Sequence, residues 1–325
     1  MKAGQTGAII AFVSLLVAAG PAAARAQDVD STDVTASDPG PRPMLGGHRF
    51  IPNTLSKDPF PRTYVRNALG IGTAADLPIV PRFEISPGDT ISGLTGSLRF
   101  ALLDFEYQQR VKDWMGFWVE ARVRARLGNN VGSLLAAGVT LSTGFEVGWM
   151  FQLFKTDRIA LAATAQVWNG NFTTINIFEY LKGVIDSTGA PLVNDVPVLR
   201  GGGGLRFSWG INAWLGLTAG GIVGYGESTK RSEGNTTTGS VSLAVDVDFK
   251  PLINAPVGIV VAGEQDLSQK NLIEDVDRAR TGLLRIAYTG RDDFIIALDF
   301  DVASVPISGF TVTATSVKIN MRYYF

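Results

Sequence analysis

FWVEARVRAR (residues 117–126) separates into two sets when every second residue is read. One set is Phe117, Val119, Ala121, Val123 and Ala125. The other is Trp118, Glu120, Arg122, Arg124 and Arg126. Successive side chains of a β-strand point to opposite faces, so this stretch reads as a strand with one apolar and one charged face. What lies against each face decides the fold.

The same division recurs along the chain. Val241, Leu243, Val245, Val247 and Phe249 alternate with Ser240, Ser242, Ala244, Asp246 and Asp248. Phe294, Ile296, Leu298, Phe300 and Val302 alternate with a set that includes Ala297, Asp299 and Asp301. Val317, Ile319, Met321, Tyr323 and Phe325 alternate with Lys318, Asn320, Arg322 and Tyr324. Less regular segments cover 98–108, 135–153, 159–168, 199–209, 215–225, 257–264 and 282–289, and 63–73 is the weakest. The sum is about twelve strands, within a range of about ten to fourteen. Segment 135–153 reads as one long strand or two.

The connections come in two lengths. Residues 155–158 (KTDR), 251–256 and 290–293 (GRDD) are short turns, whereas 169–198, 227–238 and 265–280 are long and polar. Short and long alternate, as in a meander with its turns at one end and its loops at the other.

In a soluble sandwich the apolar faces would form a core and the charged faces would meet water. Here nearly every segment carries the pattern, and the apolar sets are rich in aromatics. Trp149, Trp209, Tyr323 and Phe325 stand near segment ends, where membrane barrels place interfacial girdles. The expected fold is therefore all-β: an antiparallel up-and-down transmembrane β-barrel, apolar faces to lipid and charged faces to the lumen. An outward arginine near the midplane would cost about 2–4 kcal/mol, which fixes the register. A helical alternative rests on residues 209–226, which carry no charge, and on 134–154. Both stretches alternate, and two helices would leave the other segments unexplained.

The amino terminus reads as an export signal: Lys2, an apolar run over 8–20 too short to span a bilayer as a helix, then small residues around Ala24-Arg25-Ala26. The expected organisation is a signal peptide over 1–26, a disordered or extended leader over 27–61 and a barrel over 62–325. The absence of cysteine excludes disulfides and thiol chemistry, and the net charge of −1 gives no reason to expect nucleic acid.

The closing segment SVKINMRYYF (residues 316–325) resembles the last strand of Gram-negative outer-membrane β-barrel proteins, which commonly ends on Phe after alternating apolar residues. Here those residues are Val317, Ile319, Met321, Tyr323 and Phe325. The resemblance implies an outer-membrane location, contact with its lipid and recognition by the barrel assembly machinery. It is to the class, covers residues 62–325, and carries no specific function. A final strand running toward the periplasm would put the short turns on that side.

The candidate functional residues are the inward charges: Glu120, Arg122, Arg124, Arg126, Arg206, Asp246, Asp248, Arg285, Asp299 and Asp301. They define two expectations. One is a passive diffusion channel for small hydrophilic solutes with a charged lumen. The other is a poreless barrel, its charges paired, that anchors surface loops for adhesion or scaffolding. A membrane-embedded hydrolase is the weaker third, because such enzymes need a base near neutral pH and the one histidine, His48, lies in the leader. His48 reads as a loop residue with no special task, and the chain is expected not to be an enzyme. RGGGGLRF (residues 200–207) lacks the Lys-Ser/Thr of a phosphate loop, so its glycines read as allowing wall curvature or close approach in the lumen. No metal or cofactor motif stands out. Residues 175–185 break the alternation and read as a short amphipathic helix, folded into the mouth or packed on the loops.

Overall fold

The computed structural model describes residues 42–78, 83–86, 89–91, 95–128, 139–175, 193–227, 234–267, 279–307 and 310–325. The export signal, residues 27–41 and most of the 175–185 segment lie outside them. In chain order the strands are β1 (Met44–Leu45), β2 (His48–Arg49), β3 (Tyr64–Pro78), β4 (Phe83–Ser86), β5 (Asp89–Ile91), β6 (Thr95–Lys112), β7 (Met115–Gly128) and β8 (Val139–Lys155). Then follow β9 (Ile159–Ile175), β10 (Val193–Asn212), β11 (Leu215–Gly226), β12 (Thr236–Asp248), β13 (Val257–Asp266), β14 (Arg280–Tyr288), β15 (Phe294–Ile307) and β16 (Phe310–Tyr324).

Twelve of these strands close into one antiparallel barrel. Each pairs with its neighbours in the chain, except that β3 passes over the β4–β5 hairpin to pair with β6. The ring shuts where β16 meets β3: Ile319 stands opposite Leu69, which stands opposite Leu103. Closure leaves no strand edge, the condition for a sheet in hydrocarbon. The weak segment at 63–73 is β3, and 135–153 yields a single strand, β8. The charge-free stretch 209–226 is the end of β10 followed by β11. Among the described residues no helix is long and apolar enough to cross a membrane. A single helical turn, α1 (Lys250–Ile253), caps the β12–β13 connection.

Burial follows the alternation. Leu69 and Ile71 are 65% and 72% exposed, and Leu243, Val261, Leu298 and Ile319 are exposed on their own strands. The residues between them, such as Ala68, Ala244, Ala262 and Asp299, are buried. So the large apolar side chains are outside and the charges inside, the reverse of a soluble domain. At the end with the short turns the outer surface carries stacked or tilted aromatic pairs: Phe117 with Trp149 at 5.0 Å and Tyr323 with Phe325 at 5.9 Å.

One expectation needs correction. Residues 42–61, expected as part of a disordered or extended leader, fold into the lumen at the end with the short turns. Their polar, Pro- and Gly-rich composition cannot form a core alone. The charged inner wall supplies the missing partners.

An outward Leu284→Arg substitution is expected to destabilise the barrel by about 2–4 kcal/mol. Urea unfolding of the refolded protein in lipid vesicles measures it. An unchanged midpoint would mean that this face does not meet hydrocarbon.

Candidate functional site

The site is built by the leader and the wall together. β1 and β2 form a hairpin around Gly46 and Gly47, whose φ angles of 58° and 82° are the positive pair that a two-residue turn requires. The wall has seats for it. A Cβ on Gly210 would lie 2.1 Å from the Leu45 carbonyl oxygen. One on Gly216 would lie 2.5 Å from the His48 ring, and one on Gly258 would lie 2.1 Å from Ile51 Cδ1. Three glycines on three strands thus leave the room that three consecutive parts of the leader fill.

Polar contacts tie the leader down around the ring. Arg42 donates to the Thr289 carbonyl at 3.1 Å and lies 3.5 Å from Asp248. His48 is paired with Asp246, whose carboxylate also accepts from the Ile51 N–H at 3.2 Å. Arg285 holds Asp299 through two bonds of 2.6 and 2.7 Å and donates to the Pro52 carbonyl. Gln108 donates to the carbonyls of Phe60 and Arg62. Arg322 lies 3.7 Å from Asp58 and 4.1 Å over the Tyr64 ring.

Lys57 is the centre of this plug. Its Nζ lies 2.6 Å from Glu120, 3.5 Å from Glu106 and 3.6 Å from Glu146. Those carboxylates also meet wall arginines: Arg66 reaches Glu106 at 2.6 Å and Glu120 at 3.0 Å, and Arg122 reaches Glu120 at 2.7 Å and Glu146 at 3.6 Å. Three cations therefore balance three carboxylates. Burial disfavours the Lys57 ammonium, but the three carboxylates outweigh it and raise its pKa above the usual 10.5. Its contribution to docking is thus complete below pH 10.5 and is lost only as pH rises through the higher folded value. Burial pushes the Asp58 carboxyl up, against the pull of Arg322.

Past Lys57, toward the loop end, the lumen widens into a cavity of about 840 Å³. Thr54, Leu55 and Lys57 lie on its leader side, and its wall draws on barrel strands from β3 to β16. Of the inward charges, Glu120, Arg122, Arg124, Arg206 and Asp301 line it. Asp301 is held by Lys318 at 3.0 Å and Ser316 at 3.0 Å, and Arg206 stacks over Trp118 at 4.5 Å. Asp246, Asp248, Arg285 and Asp299 lie deeper, against the leader. The Arg126 side chain lies outside the described residues. Val317, Ile319, Met321 and Tyr323 point outward on β16, and Phe325 follows it.

The reading of His48 as a loop residue without a task is wrong. It is fully buried, edge-on to Phe50 and paired with Asp246. Its Nδ1 makes no hydrogen bond, so no hydroxyl nucleophile is set against it. The residues not anticipated are Lys57, Arg66, Glu106 and Glu146. The last three occupy inward positions of their own strands, and alternation would have found them. Lys57 sits in a leader with no period, so no local pattern marks it. Among the described residues no group of His, Cys, Asp and Glu could hold a metal ion.

No family model and no curated protein matches the chain. Solved structures do. An outer membrane channel from Pseudomonas putida F1 is similar over 85% of this chain and 100% of its own, at 9% identity and a TM-score of 0.50. The chain has the fold of an outer-membrane β-barrel. The translocator domain of the autotransporter NalP from Neisseria meningitidis covers 82% of this chain and 90% of its own, at 10% identity and a TM-score of 0.46. The NanC porin covers 81% and 100%, at 11% and 0.44. At 9% identity the likeness to the Pseudomonas channel carries the fold alone, not a solute.

Gly216→Val is expected to leave the barrel intact and unseat the leader, since the atoms nearest a Cβ there belong to the His48 and Asp246 side chains. It should make Arg49 a trypsin site in detergent-refolded protein whose gel mobility still shifts on heating. Protection equal to that of the wild type would mean that the Gly216 seat does not hold the leader.

Proposed function

We propose that this barrel is a channel for small hydrophilic solutes in the bacterial outer membrane, held shut by its own leader. The observation that carries the reading is the cavity of about 840 Å³, lined by charged and hydroxyl side chains among apolar ones, which ends on Lys57. Solutes enter from the loop side, which faces outward if the short turns face the periplasm, as is usual for the class. Arg122, Arg124 and Arg206, with Glu120 and Asp301, are the wall charges that bias ion passage. Val317, Ile319, Met321, Tyr323 and Phe325 act as the signal to the barrel assembly machinery before they meet lipid.

The second reading is a poreless barrel that anchors its loops. The ion pairing around Lys57 favours it, since a fully neutralised plug needs no opening to be stable. The reading as a channel instead assigns that pairing to a closed state.

Single-channel recording in planar bilayers separates the two. The refolded mature protein should open rarely. Lys57→Met leaves three carboxylates facing two arginines, and breaking a buried pair by removing one partner costs about 3–5 kcal/mol. The open fraction should rise by about two to four orders of magnitude. Adding Arg122→Gln and Arg124→Gln should shift ion preference toward cations. Folded protein that gives no steps in any of these forms would refute the channel and leave the anchor.

A further inference from the structure

One sector of the cavity wall differs from the rest. On β9, Gln166 and Trp168 share the inner face, two residues apart. Gln166 stands opposite Gly202 of β10, and Gly202 stands opposite Gly224 of β11. The Trp168 indole passes over β10 and comes to rest on Gly224: a Cβ there would lie 2.2 Å from Cη2 and 2.6 Å from Cζ2. Any larger residue at 224 would push the ring off the wall. With glycine in place the ring lies along the wall, one side on backbone and the other on the cavity it lines. This gives the inward glycines of RGGGGLRF and β11 a use: they clear a bed for an aromatic ring.

The two charged groups opposite this ring are already engaged: Glu146 lies 3.6 Å from both Lys57 and Arg122 and accepts from the Trp118 indole N–H, and Arg200 donates to the Glu227 carbonyl. Thr238, Ser240 and Ser242 of β12 line the same cavity. Neither the Trp168 indole N–H nor the Gln166 amide is bonded to a described residue. Elsewhere in the cavity Arg122 is held by Glu120 and Glu146, and Asp301 by Lys318. A charged solute would have to displace these ion pairs to use their charges. A neutral one meets an open aromatic face, an amide and hydroxyls. An aromatic face takes the apolar side of a ring, and the amide and hydroxyls take the substituents at its rim. The cavity falls within the roughly 300–1,000 Å³ usual for small-molecule sites.

We infer that the β9–β12 wall is a binding subsite for an uncharged ring sugar, stacked on Trp168 and hydrogen-bonded by Gln166. The inference deepens the channel reading by naming its solute class, and rests on that reading only for the sugar's passage, not for its binding.

The test is equilibrium binding to the full mature protein refolded in detergent, by titration calorimetry with glucose, sucrose and maltose. Choline chloride and sodium succinate serve as charged probes. At least one sugar should bind saturably and the charged probes should not. Trp168→Ala should weaken sugar binding about tenfold, whereas Trp168→Phe, which keeps an aromatic face, should stay within about threefold. Gln166→Leu should weaken it several-fold, and gives an independent reading if Trp168→Ala does not fold. Folded wild type that binds no sugar, or binds one equally well in the Trp168→Ala and Gln166→Leu forms, overturns the subsite. So does choline binding in place of sugar, which would make the indole a cation platform. Sugar binding without conductance refutes the channel and keeps the subsite; conductance without sugar binding does the opposite.

Discussion

Hydrocarbon offers no hydrogen bonds, and the rest of this structure follows from that. Every peptide group at membrane depth must find its partner in the protein, and a sheet achieves this only by closing on itself. The seam between β16 and β3 is therefore as necessary as any pairing of chain neighbours. Once the ring is closed, the period of two sends one set of side chains to lipid and the other to the lumen. The apolar set has only one place to go, so the charged set is placed by exclusion.

Exclusion does not settle how those charges are satisfied. An inner wall bearing Arg66, Glu106, Glu120, Arg122 and Glu146 needs water or counter-charges. The leader supplies a single cation, Lys57, where the carboxylates converge, and backbone carbonyls for Arg285 and Gln108. The wall in turn supplies what the leader lacks, namely a binding surface. The glycines at 210, 216 and 258 show that shape matters here as well as charge, because each is a gap filled by the leader. Plug and wall are two halves of one buried polar network, and the cavity is the part of the lumen they leave open.

The barrel was legible in the sequence because alternation is local. Ten residues such as 117–126 reveal two faces without knowledge of any neighbour, and short turns such as 290–293 mark one end. Even β3, the faintest segment, obeys the rule, with Leu69 and Ile71 outside and Ala68 and Gly70 inside. The inward positions of Arg122, Asp246 and Asp299 follow from parity alone. Their partners do not. Asp246 meets His48 across 198 positions of sequence, and nothing near either residue points to the other. The Gly46–Gly47 pair was a legible hairpin signal, yet its Pro-rich, acidic surroundings read as linker. Composition describes a segment in isolation, whereas the leader is ordered by a surface made of other strands.

That separation along the chain also sets an order of events. The leader is the first part of the described chain to be synthesised, yet its partners come from far downstream. Arg42 needs Thr289, 247 positions later, and Pro52 needs Arg285, 233 positions later. None of these contacts can exist until β14 has joined the growing sheet. Contacts of such long range form slowly, because the entropy of closing the loop is lost before any contact compensates it. The earliest segment to be made is thus among the last to reach its place. Until then the hairpin has no wall to rest on, and the nascent lumen has no floor.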